Sequence, residues 1–278
     1  MTAMITSTSQ NKVFVYVPNA TSGALTLSAG AGGTTTLATG SAPRGIAYHP
    51  SSKYIYVVNS GINASGVVGT TGSIGAYTSS GNPPTFGALN TLNTTTNLVN
   101  AGNTPYNIAI EPSGNYAYVT NSGDGTVSMY KICQYLRLDG VLPCTAGTLS
   151  PLYMTGTTNN TVLVEASNSN PRQISADKST VYVVSGSGKV YQFAIQSDGT
   201  LLARTTPYVD PGTGTAGIAT FYAVDSTGAT TFPSSGGAYI IQSQYLLYNS
   251  LNASGLGGSF SAPIDTLIPG QSAIGIFR

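Results

Sequence analysis

"APRGIAYHPSSKYIYVVNSG" (residues 42–61) and "TPYNIAIEPSGNYAYVTNSG" (104–123) align without a gap. Pro43 falls on Pro105, Ile46 on Ile108, Pro50 on Pro112, Tyr56 on Tyr118 and Asn59 on Asn121. One unit is used twice, and such a repeat sets the architecture before any other reading. A third copy, "NPRQISADKSTVYVVSGSG" (170–188), keeps Pro171, Ile174 and Tyr182 in register once one residue is removed from its turn.

Outward from this core, each unit continues with a third strand-like run ("SIGAYT", "TVSMYKI", "KVYQFAI") and a fourth containing Gly ("FGALNTL", "GTLSPLY", "GTLLART"). Alternating apolar positions, β-branched and tyrosine-rich runs, and Gly, Asn or Asp at the turns are strand chemistry. No stretch shows a convincing helical period. Four antiparallel strands per unit, repeated, predict an all-β fold, a β-propeller of four-stranded antiparallel blades.

A more divergent fourth unit reads "AGIATFYAVD" (216–225), "GAYIIQSQ" (237–244), "QYLLYNSL" (244–251) and "GSFSAPI" (258–264). The end, "SAIGIFR" (272–278), resembles a first strand without successors. Near the start, "KVFVYVP", "GALTLSA" and "GTTTLAT" are successors without a first strand. The expectation is five blades in one domain over residues 11–278, with N- and C-terminal strands sharing one blade. Such closure removes exposed strand edges. Blades of roughly 40–45 residues would favour six or seven, so the excess is assigned to loops at 60–72 and 91–103.

Charged residues make up 7% of the chain, against roughly 25% in an ordinary soluble domain. Tyrosines number 18 against 7 phenylalanines, and the net charge is +1. Solubility therefore comes from hydroxyl and amide groups, and the scattered cations offer no footprint for nucleic acid. No apolar run approaches the roughly 20 residues of a membrane span. The opening "MTAMITSTSQ" has no secretory apolar core and resembles a cloning-vector β-galactosidase leader. Residues 1–10 are read as a leader or expression scar and left outside the fold.

Cys133 and Cys144 flank a turn signal at Asp139-Gly140. The spacing suits a disulfide across a strand-connecting loop, with two unpaired thiols as the alternative. A bridge and the low charge together imply an extracellular, cell-surface or periplasmic location. The sequons at Asn19, Asn63, Asn93, Asn159 and Asn252 carry no weight in a chain this rich in Asn, Ser and Thr.

The "YVTN" at 118–121, with "YVVN" and "YVPN" elsewhere and the preceding P-x-x-I-A-x-x-P strand, resembles the YVTN-type β-propeller repeat. That resemblance implies surface-layer or secreted propellers, with lactonase-type enzymes as more distant relatives and seven blades as the usual number. The lactonase-like relatives often carry Pro-Arg-His on the first strand, where Arg and His serve the reacting carboxylate. Arg44 and Arg172 match the Arg, but Gly45 and Gln173 stand where the His would be.

First strands of a propeller line its channel, so equivalent positions form rings. One ring holds Arg44, Tyr106, Arg172, Ala216 and Ser272; two guanidiniums and a phenol at one mouth suit a carboxylate or phosphate, or are simply solvated. A second holds His49, Glu111, Asp177, Phe221 and Phe277, an acid–base or metal cluster unless "HPSSKY" and "EPSGNY" are only tight turns. A single histidine excludes a multi-His metal site. "GTGTAG" (212–217) precedes a strand-like run and does not indicate a dinucleotide. Glu165, just before a blade junction, is the other carboxylate expected to approach Arg172, unless it only makes a surface ion pair.

The leading expectation is a secreted or surface-associated binding or structural module with a protein or glycan partner at its loops. The alternative is a lactonase-like hydrolase or isomerase holding a small anionic ligand in its channel. A third reading has strand 272–278 completing a neighbour's blade in an extracellular assembly. No cofactor, metal, nucleic acid or membrane span is expected.

Overall fold

The computed structural model describes residues 3–19, 21–27, 36–38, 41–61, 69, 71–80, 85–88, 98–133, 144–165 and 169–210, and the strands at 215–221, 237–242, 246–252 and 255–256. These residues form five antiparallel sheets. The first contains β1 (Ala3–Ser7), β2 (Lys12–Pro18), β3 (Leu25–Leu27) and β4 (Thr36–Ala38), and the second β5 (Pro43–Tyr48), β6 (Tyr54–Asn59), β7 (Thr71–Ser80), β8 (Thr85–Ala88) and β9 (Leu98–Asn103). The third contains β10 (Pro105–Ile110), β11 (Tyr116–Asn121), β12 (Thr126–Ile132), β13 (Leu149–Pro151) and β14 (Thr161–Leu163). The fourth has β15 (Gln173–Ala176), β16 (Thr180–Val184), β17 (Val190–Ile195) and β18 (Leu201–Val209), and the fifth β19 (Thr215–Phe221), β20 (Gly237–Gln242), β21 (Leu246–Asn252) and β22 (Gly255–Leu256). First strands β1, β5, β10, β15 and β19 are neighbours in that order, as expected of consecutive propeller blades.

Two expectations change. Residues 3–7, read as outside the fold, form β1 and pair with β2 from Ala3↔Tyr16 to Ser7↔Lys12. The inner position reserved for strand 272–278 is thus filled by the chain's own start; 258–278 lies outside the described residues. The stretch 91–103, read as loop, contains β9, which pairs with β7 through Ile74↔Val99.

Hydrophobic material lies between successive sheets. Tyr56 and Val58 pack with Ile108, Val119 and Tyr130 between the second and third sheets. Tyr118, Val127, Ile174 and Phe193 do the same between the third and fourth, and Val13, Val57 and Tyr77 between the first and second. Strand β6 is therefore covered on both faces, with Ile55, Tyr56, Val57 and Val58 all fully buried. Two-faced burial accounts for a continuous apolar run where a half-exposed strand would alternate. Each such side chain contributes about 1.5–3 kcal/mol when fully buried.

The tyrosines of the repeat also tie sheets together. Tyr56 Oη donates to the Gly147 carbonyl at 2.8 Å and Tyr118 Oη to the Gly199 carbonyl at 2.9 Å. Both phenols are pushed far above the ordinary tyrosine value, chiefly by burial, and so remain donors. Gly147 and Gly199 lie in the left-handed region at φ +83° and +87°, and a Cβ there would fall 2.4 and 2.2 Å from the rings of Tyr54 and Tyr116. Only glycine meets both demands. Cys133 and Cys144 are joined by a disulfide, Cα–Cα 6.1 Å, in the connection between β12 and β13.

Candidate functional site

The first strands bring Arg44, Tyr106 and Arg172 to one mouth. Arg44 follows Pro43 on β5, Tyr106 follows Pro105 on β10, and Arg172 immediately precedes β15. Arg44 Cζ lies 5.0 Å from the Tyr106 ring centroid and Arg172 Cζ 5.6 Å. Two guanidiniums share one aromatic face system, an arrangement in which ring attraction offsets their mutual repulsion. Arg44 is further fixed: its Nε donates to Ser60 Oγ at 2.9 Å, and that hydroxyl donates to the Ala42 carbonyl at 3.0 Å.

Beneath these groups is a cleft of about 340 Å³ lined by Thr6, Thr8, Arg44, Gly45, Ile46, Tyr106, Asn107 and Gln173. It spans the inner strands of four sheets. Its β1 wall is pinned by hydroxyl donation from Thr6 to the Arg44 carbonyl (2.7 Å) and from Thr8 to the Pro43 carbonyl (3.1 Å). The segment set aside in the sequence thus forms one side of the cleft. Its described lining residues include cationic and neutral polar groups but no carboxylate or imidazole, so their electrostatics favour an anion.

Gly45 and Gln173, where a Pro-Arg-His pattern would place histidine, have a structural account. A Cβ on Gly45 would lie 2.6 Å from Asn107 Cα and 2.7 Å from Asn107 Oδ1, so a larger residue cannot fit without moving β10. Gln173 is engaged by Asn107, whose Nδ2 donates to Gln173 Oε1 at 2.9 Å. Ser60, Thr6, Thr8, Asn107 and Gln173 were not recognised as site residues from the sequence. The ring alignment that found Tyr106 would have found Asn107 and Gln173 one position later.

His49, Glu111 and Asp177 have other work. His49 is buried; the Ser51 N–H donates to its Nδ1 at 3.1 Å, which leaves Nε2–H to donate to the Gly114 carbonyl at 3.0 Å in the next sheet. Burial holds its pKa below the ordinary value, against the opposing pulls of that carbonyl and of Glu111. Glu111 closes its own turn, accepting from the N–H groups of Ser113 (2.8 Å) and Asn115 (2.8 Å). Asp177 accepts from the N–H groups of Ser179 and Thr180, both at 2.7 Å, and from Tyr182 Oη at 3.1 Å. Among the described residues no group of three or more His, Cys, Asp or Glu is arranged to hold a metal. Glu165 pairs with Lys189 at 3.4 Å rather than with Arg172. Ala216 and Phe221 fall on β19, while Ser272 and Phe277 lie outside the described residues. No described helix is long and apolar enough to cross a membrane.

Known proteins with this architecture are numerous. A putative 6-phosphogluconolactonase from Bacteroides uniformis is 13% identical, with TM-score 0.63 over 96% of this chain and 70% of its own. A functionally unknown protein from Desulfotomaculum acetoxidans is 15% identical, with TM-score 0.57 over 94% and 65%. The periplasmic gluconolactonase of Pseudomonas aeruginosa is 16% identical, with TM-score 0.51 over 94% and 66%. At these identities the likeness is one of fold, and the chain spans 65–70% of the length of these structures. No curated protein sequence matches it. The family model for the lactonase, seven-bladed β-propeller matches residues 4–143, half of the chain, beginning within β1, spanning the second sheet and reaching β10–β12 of the third. With the five consecutive antiparallel sheets already described, that match means the chain belongs to the lactonase seven-bladed β-propeller family.

Proposed function

We propose that the chain is a lactonase-like hydrolase or isomerase acting on a small anionic substrate held in the cleft that Arg44 and Tyr106 line, with Arg172 against the same tyrosine ring. The observation that carries this reading is the pair of guanidiniums set over one tyrosine beside a cleft whose described lining residues include no carboxylate. Family membership favours it over a binding or structural module. In lactone opening, water adds to the acyl carbon, the ring C–O bond breaks, and a hydroxy acid is released with a carboxylate. Arg44 and Arg172 would hold the substrate's anionic group and stabilise negative charge developing on oxygen, the contribution that preorganised donors make to acyl transfer. Ser60 supports this by holding Arg44 in one orientation. The Cys133–Cys144 bridge supports an extracytoplasmic location for this activity.

The test is turnover of a panel of sugar and muconate-type lactones by the wild type and an Arg44→Ala, Arg172→Ala double variant. The expected result is a folded double variant with turnover reduced at least about a hundredfold. Equal turnover by the two proteins would remove the assignment.

A further inference from the structure

Asn107 is placed between two residues at equivalent positions of neighbouring sheets, Gly45 on β5 and Gln173 on β15. The space left by Gly45 is occupied by the Asn107 side-chain oxygen, which a Cβ at Gly45 would approach to 2.7 Å. That oxygen accepts the Ile108 backbone N–H at 2.9 Å. A backbone N–H can only donate, so the Asn107 amide cannot be turned round. Its Nδ2 therefore faces β15 and donates to Gln173 Oε1 at 2.9 Å. The consequence passes to Gln173: with its oxygen committed to Asn107, its Nε2 is the end left for the cleft that Gln173 lines.

We infer that Gln173 is an oxygen-binding contact of the cleft, its amide nitrogen donating to the anionic group held by Arg44 and Arg172, and that Asn107 is the positioning residue fixing this polarity. The inference rests on the anion reading of the same cleft and adds to it a neutral, oriented donor. It also sets a selectivity. A carboxylate or phosphate oxygen accepts from Gln173 Nε2, whereas a ligand presenting a donor there meets a second donor. Among the described residues, the charged or titratable groups around Gln173 are Arg44 on β5, Tyr106 on β10 and Arg172 beside it.

The experiment is calorimetric titration of the full chain with gluconate and, separately, with inorganic phosphate, at pH 5.5 and 7.5. Each variant's urea midpoint serves as the folding control. Gln173→Leu is expected to weaken binding about tenfold, the scale of one hydrogen bond to a charged acceptor. Asn107→Leu is expected to weaken it several-fold by releasing Gln173 to present either end. Gln173→His supplies a donor that depends on protonation, so it should bind gluconate, whose carboxylate keeps its charge over this range, several-fold more tightly at pH 5.5 than at 7.5. Gln173→Leu should lack that pH response, which a merely structural role for residue 173 would not produce.

If Arg44→Ala binds as tightly as wild type, or if the wild type binds neither probe, the anion reading falls and this inference with it. If Arg44→Ala weakens binding while Gln173→Leu leaves it unchanged, the anion reading stands and the role of Gln173 is overturned. If Gln173→Leu weakens binding but Asn107→Leu does not, the contact stands and the positioning role of Asn107 is overturned.

Discussion

The second and third sheets are built from near-identical sequence, yet they treat equivalent side chains differently. Asn121 ends β11 with its amide satisfied: Oδ1 accepts the Gly102 N–H at 3.1 Å, and Nδ2 donates to Thr126 Oγ1 and Ser128 Oγ at 3.0 and 2.8 Å. Asn59 ends β6 at the same place and is just as buried, but its Oδ1, its Nδ2 and the nearby Ser73 Oγ have no partner among the described residues. Register explains part of the contrast: Ser128 sits opposite Val119, whereas Gly75 sits opposite Val57. The hydroxyl is gone, and a Cβ on Gly75 would lie 2.7 Å from Tyr77 Oη. A repeat copies backbone and core faithfully, while single substitutions decide whether a buried amide is a support or a cost.

The largest expected effects test what the two sheets share. Gly147→Ala and Gly199→Ala should each destabilise by roughly 3–5 kcal/mol, combining left-handed strain with overpacking against tyrosine. Gly156, also at positive φ but with nothing within 4 Å of an added Cβ, should lose only about 1 kcal/mol. Urea unfolding of the three variants measures this; a large loss at Gly199 alone would mean that the two latches are not equivalent.

The next effect separates the sheets. Asn121→Leu strands several buried partners and should cost about 2–4 kcal/mol, whereas Asn59→Leu should be neutral within about 1 kcal/mol or slightly stabilising. Equal losses in chemical denaturation would refute the difference between the two amides. Smaller again is Tyr118→Phe, which leaves the Gly199 carbonyl without its phenol donor and should cost about 1–2 kcal/mol.

The smallest effect is pH-dependent and belongs to the second sheet. His49 has a folded-state pKa below its unfolded value, so the unfolded chain takes up the proton first. Its contribution is complete above about pH 6.5 and is lost progressively as pH falls from there toward the folded value. Urea midpoints at pH 7.5 and 5.5 should differ more in wild type than in His49→Gln.

The sequence carried the sheets where both faces are buried, because runs such as Tyr54–Val58 and Tyr116–Val119 combine tyrosine and β-branched residues in a repeated register. It did not reveal β1 or β9, where "AMITS" and "LVNAGN" offer only two or three apolar residues each and pairing rests on backbone hydrogen bonds. In the cleft, Arg44, Tyr106 and Arg172 were legible because ring positions follow from alignment. The pairing of Asn107 with Gln173 was not, because it depends on the room left by a glycine on another strand. His49 and Glu111 looked like candidates for chemistry because residue type is visible in sequence, whereas the carbonyl or N–H that engages each one is not.

Two tyrosine latches of the repeat run forward along the chain: Tyr56 donates to Gly147 and Tyr118 to Gly199, so in both the acceptor is made after the donor. Tyr130 runs the other way, donating back to the Asn100 carbonyl, and Tyr182 is met within its own turn by Asp177. During synthesis Tyr56 and Tyr118 therefore wait, unmet, for the next sheet to emerge. A released chain truncated after residue 165 should protect the second sheet from protease while leaving the third open, because it lacks Gly199. The two tyrosines act as a ratchet in time, each locked by a later length of chain.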